Sequence, residues 1–79
     1  MPHYYLHIRH GEGRLDDPEG AEYADLATAK VEAIEGARQL ISECVRNGTP
    51  LGLHRAFEIV DGNEQILATV RFSEAVVTD

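Results

Sequence analysis

Between Asp25 and Asn47 apolar residues recur at about 100° per residue, so that Leu26, Ala29, Ala33, Ile34, Ala37, Leu40, Ile41, Cys44 and Val45 gather into one stripe. Glu32, Glu35, Gln39, Glu43 and Arg46 lie opposite. That pattern is one long amphipathic helix, and in a chain of 79 residues it leaves little else to build with. A helix with a single apolar stripe needs one covering layer, and the rest of the chain must supply it. The ends are marked. Asp25 can accept from the first free backbone N–H groups, and Asn47-Gly48 offers a left-handed cap with Pro50 beyond it. Lys30 falls at the stripe's edge and Val31 outside it, while the alanines at 29, 33 and 37 allow close approach to a sheet.

The covering layer reads as strands. From His3 to Arg9, Tyr4, Leu6 and Ile8 alternate with His3, Tyr5, His7 and Arg9, the period of a half-buried strand, with the first set facing the core. The runs His54 to Val60 and Gln65 to Phe72 flank Asp61-Gly62-Asn63-Glu64, whose Asp-Gly pair signals an antiparallel hairpin. Phe57 and Ile59 on one strand, and Ile66, Ala68, Val70 and Phe72 on the other, are expected to meet the helix. The fold class is therefore α+β: one long amphipathic helix on one face of a 3- to 4-stranded antiparallel sheet, in the order β-(β)-α-β-β. Residues 1–79 make one domain, and the tail from Ser73 to Asp79, residues 74–79 above all, is expected to fray.

Between the first strand and the helix lies Arg9 to Leu26, RHGEGRLDDPEGAEYADL. Gly11-Glu12-Gly13 after a strand invites comparison with G-x-G-x-x-G, but Asp16 stands where the third glycine belongs and Glu12, Asp16 and Asp17 would repel a pyrophosphate. Asp16-Asp17-Pro18-Glu19-Gly20 lacks the ligand spacing of a calcium loop and has good turn chemistry, which leaves at most a weak cation site. Leu15 and Ala21 to Tyr23 can then pair with each other as a short ribbon.

Of the four histidines, His3 and His7 share a strand face but stand roughly 13 Å apart, too far to share one ion. No metal site and no cofactor are expected. His7, Arg9 and His10 lie within reach of the acidic loop, and pairing with Asp16 or Asp17 would fix it. An enzyme or ligand-binding reading would rest on His7, Arg9 and Asp17, but no nucleophile stands in a suitable setting. Cys44, in the middle of the stripe, reads as a small buried hydrophobe. A net charge of −7 repels phosphate, so neither nucleic acid nor an anionic membrane is expected as a partner. One cysteine, no basic leader and no long apolar run point to a cytoplasmic protein.

What remains is an interaction module that docks a protein partner or a second copy of itself. The strand phases turn Tyr5, Val60 and Leu67 away from the helix as apolar anchors, with His7, Arg9, Glu58, Thr69 and Arg71 around them. Tyr5, His7, Arg9, Val60, Leu67 and Arg71 are the residues expected to make that interface, most simply in a two-fold dimer.

Tyr4-Tyr5-Leu6-His7-Ile8-Arg9, Asp17-Pro18-Glu19-Gly20, Asp25-Leu26 with Ala29, Phe57-Glu58-Ile59 and Leu67-Ala68-Thr69-Val70 together resemble an uncharacterised family of short bacterial proteins, a domain of unknown function. The family usually shows a proline before the last phenylalanine, where Arg71 stands here. The resemblance implies a bacterial cytoplasmic α+β domain and no activity. A fainter likeness is to HicB-type antitoxins, acidic proteins with an alanine-rich helix like Asp25 to Leu40; it implies a basic partner, although their Gly-Cys pair and longer second strand are missing.

Overall fold

The computed structural model describes residues 1–76. Strand β1 (His3–His10) is followed by β2 (Gly13–Leu15) and β3 (Ala21–Glu22), then by helix α1 (Leu26–Asn47), strands β4 (Ala56–Val60) and β5 (Ile66–Arg71), and a 3-10 turn (Phe72–Ala75). All pairings are antiparallel, in the order β2-β1-β4-β5 with β3 also on β1. The class is α+β, with α1 against one face of the sheet. No helix among the described residues is long and apolar enough to cross a membrane.

Helix α1 begins where the sequence signals it. The Asp25 carboxylate accepts from the Thr28 N–H and hydroxyl, both at 2.8 Å, and Gly48 closes the helix in the left-handed region at φ 68°. Ala29, Ala33 and Ala37 are fully buried, so the helix backbone comes close to Tyr4, Phe57, Ile59, Val70 and Phe72. Phe57 and Phe72 stack with centroids 5.2 Å apart at the centre of this layer. Leu6 and Ile8 pack against the same cluster from β1. The far end of the stripe is different: Val45 is 66% exposed and Cys44 only partly buried. A 22-residue helix runs ~33 Å, while strands of five or six residues run only ~17–20 Å, so the last turns overhang the sheet.

Three further expectations are corrected. Leu15 and the Ala21 segment do not pair with each other; each pairs with β1, whose eight residues give room for both along one edge. The sheet therefore has five strand segments rather than three or four. Ile66, expected inward, is 54% exposed, because a register irregularity between Ile59 and Val60 sets it opposite Val60 and leaves Leu67 as the extra residue. The segment expected to fray from Ser73 instead carries a 3-10 turn, with Phe72 and Ala75 buried and the Ala75 carbonyl accepting from Arg38 Nε at 3.0 Å. Of the expected tail, residues 77–79 lie outside the described residues.

Candidate functional site

Cross-strand partners share a face, so the pairings Tyr5 with Val60, His7 with Glu58 and Arg9 with Ala56 turn these side chains away from α1. One row continues to both sides: Arg14 on β2, Arg9 on β1, Ala56 on β4 and Arg71 on β5. Of the six expected interface residues, Tyr5, His7, Arg9, Val60 and Arg71 thus share this face, and Leu67 is the unpaired residue beside it on β5. Val60 is corrected as an exposed anchor: it is 2% exposed, the floor of a cleft rather than a knob. Leu67 and Arg71 are exposed, Arg9 is half-exposed, and Tyr5 and His7 are partly buried.

Val60 shares the lining of that cleft with the acidic loop. After β2 the chain runs back along the outer edge of β1, and Asp17 holds it there. One Asp17 carboxylate oxygen accepts from the Leu6 N–H (3.2 Å) and the other from the Gly20 N–H (3.1 Å), while the Asp17 N–H donates to His7 Nδ1 (2.9 Å). The carboxylate thus takes the place of a missing strand partner at Leu6. Gly20, at φ 61°, lies so close to β1 that a Cβ would come within 2.6 Å of the Tyr4 carbonyl oxygen. His3 Nε2 meets the Glu19 carbonyl oxygen at 2.7 Å.

Opposite this loop stands the β4–β5 hairpin. Asp61 Oδ1 accepts from both the Asn63 and Gln65 N–H groups at 2.9 Å, and Glu64 takes the left-handed region at φ 63°. Loop and hairpin flank a half-open cleft of about 300 Å³ lined by Tyr5, His7, Val60 and Pro18, with Arg14, Asp16, Asp17, Asp61 and Glu64 supplying charge. Because His7 Nδ1 accepts from Asp17, the neutral ring carries its proton on Nε2. Rings of His3, Tyr5 and His7 follow one another along β1, with centroids 5.0 and 6.2 Å apart.

Beside the cleft lies a buried carboxylate. Glu58, its side chain 8% exposed, accepts from Arg9 Nε at 2.8 Å and has Arg14 Nη1 at 4.0 Å, yet among the described residues no hydrogen-bond donor meets its Oε1. Arg14 is meanwhile held by Asp16, Nε to Oδ1 at 2.8 Å. Arg9, His7 and Asp17 therefore serve structural contacts: Arg9 is committed to Glu58, both oxygens of Asp17 to backbone N–H groups, and His7 Nδ1 to the Asp17 N–H. Among the described residues no group of three His, Cys, Asp or Glu side chains is placed to hold one metal ion.

Sequence reasoning did not bring Arg14, Asp16, Asp61 and Glu64 together. A signal for the first two was present: His10 pairs with Gly13 across the two-residue turn Gly11-Glu12, and a Gly-X pair after a strand is hairpin chemistry. Read that way, Gly13–Leu15 returns along β1 and carries Asp16 back over the outer face.

A family model described as Domain of unknown function (DUF6894) matches residues 3–73, and the chain belongs to that family. No curated protein matches the chain, and no solved structure does.

Proposed function

We propose that this member of the family is a non-catalytic, cytoplasmic protein-interaction module, which docks a protein partner on the sheet face turned away from α1. The observation that carries the reading is the state of that face. All helical packing lies on the other side, and the row Arg9–Ala56–Arg71 with the exposed Leu67 and Thr69 is left uncovered beside the cleft. An apolar residue amid arginines and a tyrosine is the composition favoured where partners meet. The candidate acid–base residues, by contrast, are spent on holding the loop and the strands.

The test is sedimentation of the whole chain at tens of micromolar, with affinity capture from the native cell. A dimer that Leu67→Glu with Arg71→Glu converts to a folded monomer, or a captured protein that the double variant releases, supports the reading. A monomeric wild type whose captured proteins are the same as those of the double variant overturns it.

A further inference from the structure

We infer that His7 is a proton-operated latch: a proton gained at Nδ1 moves this nitrogen from the Asp17 N–H to the Asp16 carboxylate, and hands Arg14 from Asp16 to Glu58. The inference stands on the loop's own bonds and goes beyond the docking of any partner.

Two histidines of β1 hold the same loop, and their chemistry is opposite. His3 Nε2 faces the Glu19 carbonyl oxygen at 2.7 Å, so it donates, and gaining a second proton leaves that bond in place. His7 Nδ1 faces the Asp17 N–H at 2.9 Å, so it accepts, and a proton on Nδ1 abolishes the bond by setting two hydrogens face to face. Histidine is the side chain that takes up such a proton from water between about pH 5 and 8. His7 meets water through the half-open cleft that it lines.

A receiver for the new N–H is already in place. Asp16 Oδ1 lies 3.8 Å from His7 Nδ1, and a charge-assisted bond closes to ~2.7–2.9 Å, a movement of about 1 Å. The same oxygen holds Arg14 Nε at 2.8 Å. With His7 charged, two cations share one carboxylate oxygen and repel each other. Arg14 has an alternative: its Nη1 stands 4.0 Å from Glu58 Oε1, a buried oxygen that no donor among the described residues meets. That oxygen is the second seat of the guanidinium. The other groups facing His7 permit the exchange. Arg9 on β1 is bonded to Glu58 Oε2 on β4 and stays there, while Tyr5 contributes only its ring, with centroids 6.2 Å apart. Across the cleft Asp61 and Glu64 are acidic and attract the new charge. Asp17 keeps both carboxylate oxygens on the Leu6 and Gly20 N–H groups, so the loop stays pinned to β1 while the Asp17 N–H turns to water. Two discrete sets of bonds on one frame are what a switch needs, and here the change at the switch is a single proton. Its consequence is that Arg14 leaves the cleft wall and joins Arg9 at Glu58 on the open sheet face.

The experiment follows the whole chain by NMR from about pH 8 to about pH 5.5, above the range in which carboxyl groups ordinarily gain protons. The His7 ring nitrogens, the Asp17 amide proton and Arg14 Nε are expected to change together. They should share one midpoint, with a population ratio that shifts about tenfold per pH unit, as a single proton requires. The Asp17 amide proton moves upfield as its bond is lost, and its exchange with water quickens. In His7→Gln, whose amide oxygen accepts from the Asp17 N–H at every pH, the Asp17 and Arg14 changes vanish while His3 still titrates. In Asp16→Asn, Arg14 sits beside Glu58 throughout, so its Nε signal matches the acidic form of the wild type at both ends of the range. An Asp17 amide that stays fixed and protected while the His7 ring titrates fully overturns the latch. Arg14 signals that still follow pH in His7→Gln, or a wild-type Arg14 that never leaves Asp16, overturn the handover. Should either variant fail to fold, the wild-type titration decides alone.

Discussion

Replacing Asp17 by alanine tests whether the loop between β1 and α1 is a built wall or a slack connection. The side chain accepts one hydrogen bond from the Leu6 N–H and one from the Gly20 N–H, both in a half-buried setting. A hydrogen bond to a charged group contributes about 1.5–3 kcal/mol, so the two together set an upper range of about 3–6. Water can reach part of the vacated edge of β1, which brings the expected loss to about 2–3 kcal/mol. For a domain of this size each kcal/mol moves Tm by about 4–8 °C, so the variant is expected to melt roughly 8–24 °C lower. Urea unfolding gives the loss directly as a shift in midpoint at unchanged slope. Asp17→Asn keeps one acceptor oxygen and should recover about half. Hydrogen exchange at the Leu6 amide should quicken in the alanine variant more than at Ile8, whose neighbourhood β2 still covers. A variant within about 0.5 kcal/mol of wild type, with Leu6 still protected, would refute the view that this carboxylate substitutes for a strand partner.

Phe72→Ala should destabilise by about 3–5 kcal/mol in the same urea assay, since the ring is fully buried against Phe57 and beneath Arg55, whose guanidinium carbon stands 4.5 Å from its centroid. Arg9→Met leaves the Glu58 carboxylate buried with Arg14 still 4.0 Å away, and a loss of about 1–3 kcal/mol is expected; adding Glu58→Gln should restore part of it, which a double-mutant cycle reads. Burial, with Glu32 and Asp17 nearby, holds the Tyr23 hydroxyl above its ordinary value of 10.0, so the unfolded chain ionises there first. Tyr23 therefore contributes stability that is complete below pH 10.0 and lost as pH rises through the folded value, and Tyr23→Phe should flatten the alkaline limb of a stability–pH curve.

The helix was legible to the residue because its signals are local: a 3.6-residue period, an aspartate cap and a left-handed glycine all lie within Asp25 to Gly48. The strand faces were legible as far as strict alternation held, through Tyr4 and Ile8, Phe57 and Ile59, and Val70. Alternation failed at Leu67, where one extra residue on β5 shifts Ile66 out of phase, and nothing in the composition of ILATVR marks that position. The site was harder for a related reason. Asp16 and Asp61 are 45 positions apart and belong to loops that meet only because β1 lies between β2 and β4. Residues that each look like turn chemistry in sequence become walls of one cleft through strand order, which a single chain's local pattern does not encode.

How the sheet ends bears on how the protein can associate. Strand addition needs an open edge, and both edges are blunted here. The free side of β1 is occupied by β2, the Asp17 carboxylate and β3 in turn. On β5 the irregularity at Leu67 disturbs one end, and Glu74 Oε2 accepts the Arg71 N–H at 2.7 Å at the other, leaving too short a stretch to template a partner strand. On the proposed interaction-module reading, docking would fall to the face, where charge separates the two possible occupants. Two copies at −7 each repel at long range, so a homodimer through Arg9 and Arg71 should tighten as salt rises. A complex with a basic partner is drawn together by the same charge and should loosen. Sedimentation of each assembly over a salt series reads the sign directly, and a heteromeric complex that tightens with salt would show that net charge is not what draws the partner in.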